Sequence, residues 1–247
     1  MSGRNAAKPL EGKLVLITGA SRGIGRAVAI AAAHAGGEII ITGRTIGALE
    51  EVDDEVKAAG GKATIVEMDM KDYAAMPRLA AAIQGRWGRL DGLVANAGML
   101  PALTPVSHVQ PDHWDESIAV NLTGQWHLIR SMDALLRAAP AGRAVLVSSG
   151  AAVGSRPFWA PYAAAKAGLE ALGRSWAGES EQTNLRINIL NPGGTATNMR
   201  ASAFPGEDQK TLPQPEDIAP AFIDLLSPTC EHHGELLNAR QMLGIGS

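Results

Sequence analysis

The chain alternates short apolar runs with stretches of helical periodicity, and this alternation constrains its fold more than any other feature. Six runs rich in β-branched residues occupy residues 13–19, 38–43, 63–69, 90–96, 143–149 and 185–191. Their continuous apolar character is typical of parallel strands that are buried on both faces. Helical periodicity marks residues 25–36, 46–60 and 112–137, and a final helix and strand are predicted at residues 215–227 and 234–239.

This order of elements predicts a single α/β domain over residues 1–247, with residues 1 to about 10 as a loose arm. We expect a Rossmann-type, doubly wound parallel sheet of about seven strands with helices on both faces. Ligands of such sheets bind outside the carboxyl ends of the strands. The motifs that follow all fall at such ends, which predicts one shared site.

Composition and charge bear on partners and compartment. The formal net charge of −3 provides no broad basic field, so we expect neither nucleic acid nor a membrane surface as a partner. The opening segment lacks the apolar core of a signal peptide, and no run of about 18 apolar residues occurs. Because the single Cys230 excludes an internal disulfide, we expect a cytoplasmic protein.

A histidine pair near the end of the chain resembles a metal site at first reading. His232 and His233 are flanked by Glu231 and Glu235. Adjacent histidines rarely face one ion together with both carboxylates. We therefore expect a surface loop there and no bound metal.

The first predicted strand runs directly into a glycine-rich loop, TGASRGIG at residues 18–25, which opens an alanine-rich helix. Without Cβ atoms, the backbone can turn sharply and approach a pyrophosphate whose charge lies at the helix N-terminus. Strand, loop and helix in this order are typical of a dinucleotide cradle. The loop residues predicted to bind the cofactor are Gly19, Ser21, Arg22, Gly23, Ile24 and Gly25.

The end of the second predicted strand bears on the choice of cofactor. An acidic residue there usually holds a ribose 2′-hydroxyl, whereas an arginine suits a 2′-phosphate. Here Gly43 removes a repelling carboxylate, and the guanidinium groups of Arg44 and Arg22 match phosphate oxygens. We therefore predict NADP(H) in preference to NAD(H), the alternative being two solvated surface arginines.

Asp69 and Met70 follow the third predicted strand. The Asp69 carboxylate can accept a hydrogen bond from an adenine amino group, and the Met70 backbone can contact the same ring. The alternative is that Asp69 caps the next helix.

Tyr162 and Lys166 lie at the start of a predicted helix that Pro161 opens. Four residues apart, they share a helix face, and an ammonium beside a phenol lowers the pKa of the tyrosine from about 10. Ser148 and Ser149 end the preceding strand at the same sheet edge, where a hydroxyl can orient a carbonyl, although serines there are also common turn residues. The pattern predicts a proton-transferring tyrosine.

Taken in order, these motifs resemble those of the short-chain dehydrogenase/reductase family over nearly the whole chain. The family's glycine loop, its Asn-Ala-Gly motif and its Pro-Gly-x-x-x-Thr-x-Met motif match residues 18–25, 96–98 and 192–199. Its helix asparagine, its serine and its Tyr-x-x-x-Lys pair match Asn121, Ser149, Tyr162 and Lys166.

The resemblance implies a catalytic set. Tyr162 is then the general acid and base, Ser149 binds the reacting oxygen, and Lys166 holds the nicotinamide ribose and lowers the pKa of the tyrosine. Asn121 is implied to position a water that feeds protons to Lys166, although such an asparagine can also cap or bend a long helix.

The resemblance also implies further cofactor contacts. Asn96 braces the fourth strand and faces the adenosine ribose, while Thr195 and Thr197 contact the carboxamide and the phosphates. The full implied set is Asn96, Ala97, Gly98, Tyr162, Lys166, Pro192, Gly193, Thr195 and Thr197. The implied activity is hydride transfer between NADP(H) and a small-molecule carbonyl or alcohol; a nucleotide-sensing or scaffolding protein without turnover is the alternative.

Some positions depart from the family pattern. Ala95 and Ala152 replace a usual asparagine and a frequent glycine, and the C-terminal residues 234–247 lack the family's common ending, which often helps to build a tetramer. We still expect a homo-oligomer, dimer or tetramer, through residues 112–137 and 161–178. Three tryptophans supply apolar bulk there or simply pack in the core: Trp114, Trp126 and Trp176.

Substrate selectivity is expected from the loops after Gly98, at residues 151–159 and at residues 198–213. Their large apolar residues line a substrate pocket or cover the core edge: Met99, Leu100, Phe158, Trp159, Met199 and Phe204. Arg156 and Arg200 can meet an acidic group or remain solvated. Reduction of 3-oxoacyl groups on an acyl carrier protein is a less favoured activity. Family members with that activity tend to have basic residues at the positions of residues 139–142 and 181–184, which this chain lacks.

Overall fold

The computed structural model describes residues 8–154 and 156–246. Within them, seven strands form one parallel sheet in the order β3-β2-β1-β4-β5-β6-β7. The strands are β1 (Leu14–Thr18), β2 (Glu38–Gly43), β3 (Lys62–Glu67), β4 (Gly92–Ala95), β5 (Arg143–Val147), β6 (Arg186–Asn191) and β7 (Leu236–Asn238). The predicted Rossmann-type α/β fold is confirmed, and each predicted apolar run overlaps a strand.

Helices connect the strands. They are α1 (Gly23–His34), α2 (Ile46–Ala58), α3 (Ala75–Trp87), α4 (Pro111–Ile118), α5 (Gly124–Arg137), α6 (Ala160–Gly178), α7 (Asn198–Ala203), α8 (Pro215–Leu226) and α9 (Ala239–Met242). A π-helical segment, Ala119–Thr123, joins α4 to α5. The prediction of a loop throughout residues 198–213 was wrong at its start, because the Thr197 hydroxyl accepts a hydrogen bond from the Arg200 N–H and caps α7.

Two apolar cores hold the helices against the sheet, one on each face. Along β1, Leu14 and Leu16 pack into the core that contains residues of α3, α5 and α6. Val15 and Ile17 point the other way, into the core shared with α1, α2 and α8. This alternation explains why the strand is apolar from Leu14 to Ile17: both faces are covered.

The sheet places the candidate site at the carboxyl ends of β1 and β4. β1 pairs with β2 on one side and with β4 on the other. The connections that follow β1 and β4 run towards opposite edges of the sheet, and a crevice lies between the ends of these two strands. Gly124 lets α5 approach this edge, since a Cβ there would lie 2.6 Å from the Met70 carbonyl oxygen.

The predicted loose arm falls mostly outside the described residues, which begin at residue 8. Leu10, its last member, is buried, and its N–H donates to the Ala35 carbonyl at 2.9 Å, so this residue belongs to the folded domain. Across residues 8–154 and 156–246, none of the helices is both long and apolar enough to span a bilayer.

Candidate active site

The glycine loop after β1 makes a turn that side chains would obstruct. Gly19 has a φ of 65°, and a Cβ there would lie 2.8 Å from the Ala97 Cα. A Cβ at Gly25 would lie 2.3 Å from the Gly19 carbonyl oxygen. The loop therefore packs closely on the end of β4 and presents bare backbone at the N-terminus of α1, as a phosphate cradle requires.

Thr18 and Asn96 join the carboxyl ends of β1 and β4. The Thr18 hydroxyl accepts hydrogen bonds from the N–H groups of Asn96 and Ala97 at 3.1 and 3.0 Å. The Asn96 amide donates to the carbonyls of Thr18 and Gly19 at 2.9 and 3.2 Å. Asn96 thus braces β4 against the glycine loop. Sequence reasoning did not single out Thr18, although a polar residue at the end of an apolar strand is a usable signal.

Two arginines lie next to this cradle. Arg22 and Arg44 are exposed, and neither forms an ion pair with any residue the structure describes. Arg26, on α1, is instead paired with Glu55 at 2.6 Å. A Cβ at Gly43 would lie 3.4 Å from the Ser21 Cβ, so the end of β2 abuts the glycine loop. The result is a positively charged corner with two unpaired guanidinium groups.

Asp69 and Met70 lie at the adjacent strand end. The Asp69 carboxylate accepts from the Lys71 N–H at 2.8 Å and thus shapes the turn after β3. Asp72, not Asp69, accepts from the N–H groups of Ala74 and Ala75, where α3 begins. The helix-cap alternative therefore applies to Asp72, and Met70 is buried beside α5.

Ser149, Tyr162 and Lys166 come together where β5 ends and α6 begins. Tyr162 is 7% exposed, and the neighbouring Ser149 side chain acts to lower its pKa. The Lys166 ammonium lies 5.8 Å from the centre of the Tyr162 ring and donates to the Val147 carbonyl at 2.7 Å. A phenol, a hydroxyl and a buried cation thus share one small volume.

Burial dominates the protonation of this group. Burial raises the pKa of Tyr162, and the Ser149 side chain offsets this rise only in part. Burial also lowers the pKa of Lys166 from 10.5 to about 8. The expectation that Lys166 lowers the pKa of the tyrosine is not met in this structure, because its ammonium turns to the Val147 carbonyl. Near neutral pH the phenol carries its proton.

The buried Lys166 predicts an unusual dependence of stability on pH. Its folded pKa of about 8 lies below 10.5, so between these values the unfolded chain binds more protons and wild-type stability rises with pH. Relative to Lys166→Met, the free energy of unfolding should rise by about 1.4 kcal/mol per pH unit in this window, roughly 3 kcal/mol in total. Urea unfolding of both proteins at a series of pH values measures this.

Lys71 provides the control for that experiment. It is exposed, and Glu116 raises its pKa. Relative to Lys71→Met, the free energy of unfolding of wild type should therefore not rise with pH in this window. A constant difference between wild type and Lys166→Met across the window would contradict the prediction.

Asn121 lies in the π-helical segment, where each backbone hydrogen bond joins residues five positions apart, against four in an α-helix. Its side chain accepts from the Met99 N–H and donates to the Met99 carbonyl, both at 2.9 Å, and so neither caps the helix nor points to solvent. A Cβ at Gly98 would lie 2.9 Å from the Asn121 Oδ1 and 3.7 Å from the Lys166 Nζ. Asn121 therefore ties the loop after β4 to the neighbourhood of Lys166.

The segment after β6 closes the site from the other side. Gly193 has a φ of 75°, and Thr195 is buried with its hydroxyl 3.5 Å from the Pro192 carbonyl. Thr197 reaches the glycine loop, since its Cγ2 would lie 3.4 Å from a Cβ at Gly23. The atypical C-terminal tail packs here too: a Cβ at Gly193 would lie 2.7 Å from the Arg240 Cδ.

Two buried residues support the site and were missed from sequence. Glu170 accepts from the Ser148 hydroxyl at 2.6 Å, and both are buried, so α6 holds the end of β5 through Lys166 and Glu170 together. Gln125 donates to the Ala97 carbonyl at 2.7 Å. A charged residue four positions after Lys166 was the available signal for Glu170.

The histidine pair and the three tryptophans singled out in the sequence contact residues outside the group around Tyr162. The His233 Nδ1 accepts from the Ile187 N–H, and its Nε2 lies 3.0 Å from the Ala177 carbonyl oxygen. His232 pairs with Glu235 at 2.8 Å. Trp176 is core, with its indole N–H donating to Asp133, whereas Trp114 and Trp126 are 41% and 42% exposed.

Comparison with known proteins agrees with this architecture. The short chain dehydrogenase family matches residues 13–208. The chain therefore belongs to that family and is an oxidoreductase by class. The oxidoreductase YciK of Escherichia coli strain K12 is 36% identical over 220 residues, which cover 88% of this chain and 87% of YciK.

Two further relatives cover nearly the full length. The 2,3-dihydro-2,3-dihydroxybenzoate dehydrogenase of Bacillus subtilis strain 168 is 32% identical over 261 residues, which cover 97% of this chain and 99% of that enzyme. A crystal structure of a short chain dehydrogenase from Escherichia coli CFT073 in complex with NADPH has a TM-score of 0.91 at 34% identity, covering 95% of this chain and 99% of that one.

Proposed function

We propose that this protein is an NADP(H)-dependent oxidoreductase that interconverts a small-molecule carbonyl compound and its alcohol, with Tyr162 as general acid and base. One observation carries the proposal: the side chains of Tyr162, Ser149 and Lys166 meet at the sheet edge that also holds the glycine cradle.

The residues present fit a dinucleotide. Gly19 and Gly25 leave bare backbone where a Cβ would collide, and the N-terminus of α1 faces that space. The unpaired guanidinium groups of Arg22 and Arg44 suit a 2′-phosphate. The solved relative in complex with NADPH supports the same choice of cofactor. The remaining contacts are proposed for Ser21, Gly23, Ile24, Asp69, Met70, Asn96, Ala97, Gly98, Pro192, Gly193, Thr195 and Thr197.

Tyr162 handles the proton of the reaction. A bound nicotinamide supplies or accepts the hydride. During reduction the Tyr162 hydroxyl donates its proton to the substrate oxygen, and the Ser149 hydroxyl holds that oxygen in place. Lys166, a buried amine with a pKa of about 8, is proposed to hold the hydroxyls of the nicotinamide ribose. Asn121, tied to Met99 one loop away, is proposed to position the water that returns a proton through Lys166.

The exposed tryptophans support a homo-oligomer. Trp114 and Trp126 lie on α4 and α5 with large exposed fractions, as is common at interfaces between copies. We propose that these helices form the contact.

A carbonyl panel tests the proposed function. Ketones, aldehydes and quinones are incubated with NADPH and protein, and the loss of the reduced nicotinamide's ultraviolet absorbance is followed. At least one compound should be reduced, and protein-free reactions provide the background. Absence of turnover across the panel, together with a nucleotide-dependent protein partner, would favour the sensing alternative.

A further inference from the structure

We propose that three aromatic side chains, Tyr162, Trp159 and Phe204, form a substrate wall that selects ketones with a flat ring body. We call this set the aromatic wall. The inference rests on the proposed function, since it places the reacting oxygen at Tyr162, and it names the substrate class of that same site.

The rings form a continuous series that begins at the reacting group. Trp159 precedes α6 directly, and its ring centre lies 5.8 Å from that of Tyr162 at an angle of 69°. The Phe204 ring, at the end of α7, lies 5.8 Å from Trp159 at an angle of 31°. Tyr162 is nearly buried, whereas Trp159 and Phe204 are only half-buried. Aromatic surface therefore leads outward from the phenol.

The outer end of the aromatic wall is held in place by an ion pair. The Arg200 guanidinium lies 3.8 Å from the centre of the Phe204 ring. It also donates two hydrogen bonds of 2.6 Å to the Glu207 carboxylate, the bidentate geometry that is strongest for this pair. The ion pair thus holds the guanidinium against the Phe204 ring directly after α7.

The same ion pair bears on charge selectivity. Arg200 and Glu207 are 22% and 26% exposed and neutralise each other. The sequence left open whether Arg200 meets an acidic substrate group; one edge of its guanidinium is paired with Glu207, and the group lies over the Phe204 ring. α7 therefore adds no cation beyond the paired Arg200 to the outer end of the aromatic wall, and the cation nearest to Trp159 is the exposed Arg156, whose guanidinium lies 5.8 Å from the centre of that ring.

The backbone directly before Trp159 has a conformation that is typical of functional sites. Phe158 has a φ of 75°, a conformation that bulky residues rarely adopt and that clusters at functional sites. Its carbonyl accepts from the Thr104 N–H at 3.1 Å, which fixes the turn between two loops. The turn sends Phe158 to solvent, 53% exposed, and leaves Trp159 against Tyr162.

These features define the substrate body. Trp159 and Phe204 are too close together, at 5.8 Å between centres, to admit a further ring between them, so the substrate lies along them. Flat rings gain more from aromatic surface than flexible chains do, because they pack with defined geometry and lose less conformational freedom. We therefore assign ketones whose carbonyl is in, or attached to, a flat ring system about two rings long.

The experiment compares two ketones of equal carbon number, 2-tetralone and decan-2-one, with acetoacetyl coenzyme A as a third substrate. Wild type should reduce 2-tetralone with the highest kcat/KM. Trp159→Ala should lower kcat/KM for 2-tetralone by roughly 20-fold and for decan-2-one by less than about 3-fold. Trp159→Phe should restore most of the loss, and Phe204→Leu should give a smaller loss of the same kind.

Trp87→Ala is the matched control, because Trp87 is a half-buried tryptophan at the end of α3, with the Arg86 guanidinium 4.2 Å from the centre of its ring, and does not belong to the aromatic wall. Retained NADPH binding shows that each variant is folded. A second measurement needs no turnover: 2-tetralone should bind NADPH-loaded Tyr162→Phe protein by calorimetry, and the further change Trp159→Ala should weaken that binding by about the same factor.

The outcomes separate the two proposals. Equal losses for both ketones, or a wild-type preference for decan-2-one or acetoacetyl coenzyme A, would overturn the aromatic wall while leaving the oxidoreductase intact. Binding of 2-tetralone that depends on Trp159, without reduction of any carbonyl compound, would support the aromatic wall and contradict the proposed function.

Discussion

Replacement of Tyr162 with phenylalanine is expected to lower kcat for carbonyl reduction about 1000-fold, or roughly 4 kcal/mol in activation free energy. The change keeps the buried ring and removes only the hydroxyl, whose pKa burial raises so that it carries a proton near neutrality. Without that proton donor, the developing negative charge on the substrate oxygen meets only the Ser149 hydroxyl. NADPH binding, followed by fluorescence titration, should change less than about 3-fold, because the phosphate cradle is untouched.

The chain contains a matched control, since Tyr73 is its other tyrosine. The Tyr73 ring stacks on His127 with 4.3 Å between ring centres, away from Ser149. Tyr73→Phe should leave kcat within about twofold of wild type, because surface changes of this kind shift energies by only about 0.5 kcal/mol. A kcat for Tyr162→Phe within tenfold of wild type would remove Tyr162 from the proposed role.

The strands were predictable because parallel strands buried on both faces have an unmistakable composition. β1 shows the reason: Leu14 and Leu16 serve one core while Val15 and Ile17 serve the other, so no polar alternation dilutes the signal. The edge strands β3 and β7 are less buried, and their predicted limits deviate by one or two residues at each end, as do those of the buried β4. Helix α7 was missed because its cap, Thr197, was interpreted only as a ligand contact.

The sequence predicted that Ser149, Tyr162 and Lys166 lie at one edge of the sheet, but not the contacts that they make there. Spacing of four residues places Tyr162 and Lys166 on one helix face, yet it cannot show that the ammonium prefers the Val147 carbonyl. The pairing of Ser148 with Glu170 joins residues 22 positions apart across the β5–α6 packing, which no local pattern specifies. The direction of the pKa of Tyr162 likewise depends on burial, a property of the whole fold.

The double variant Arg22→Ala with Arg44→Ala is expected to lower kcat/KM for NADPH about 100-fold while changing that for NADH less than about 3-fold. Two charge-assisted contacts to a 2′-phosphate would be lost, and NADH has no such phosphate. Arg26→Ala is the control. It also removes a guanidinium, on α1, but this one is already paired with Glu55 and Glu216. Steady-state kinetics with both cofactors and one carbonyl substrate provide the comparison.

Gly43→Asp tests the same corner from the opposite direction. A Cβ at Gly43 lies 3.3 to 3.5 Å from Leu49 and Ser21, a tight but tolerable fit, so the variant should fold. Its carboxylate would then stand at the end of β2 beside Arg44, where it repels a 2′-phosphate and accepts from a 2′-hydroxyl. The ratio of kcat/KM for NADPH to that for NADH should fall about 100-fold, partly through improved use of NADH. If the ratio instead stays constant in Gly43→Asp and in the double arginine variant, the phosphate is bound elsewhere; if wild type prefers NADH, the assignment of NADP(H) is wrong.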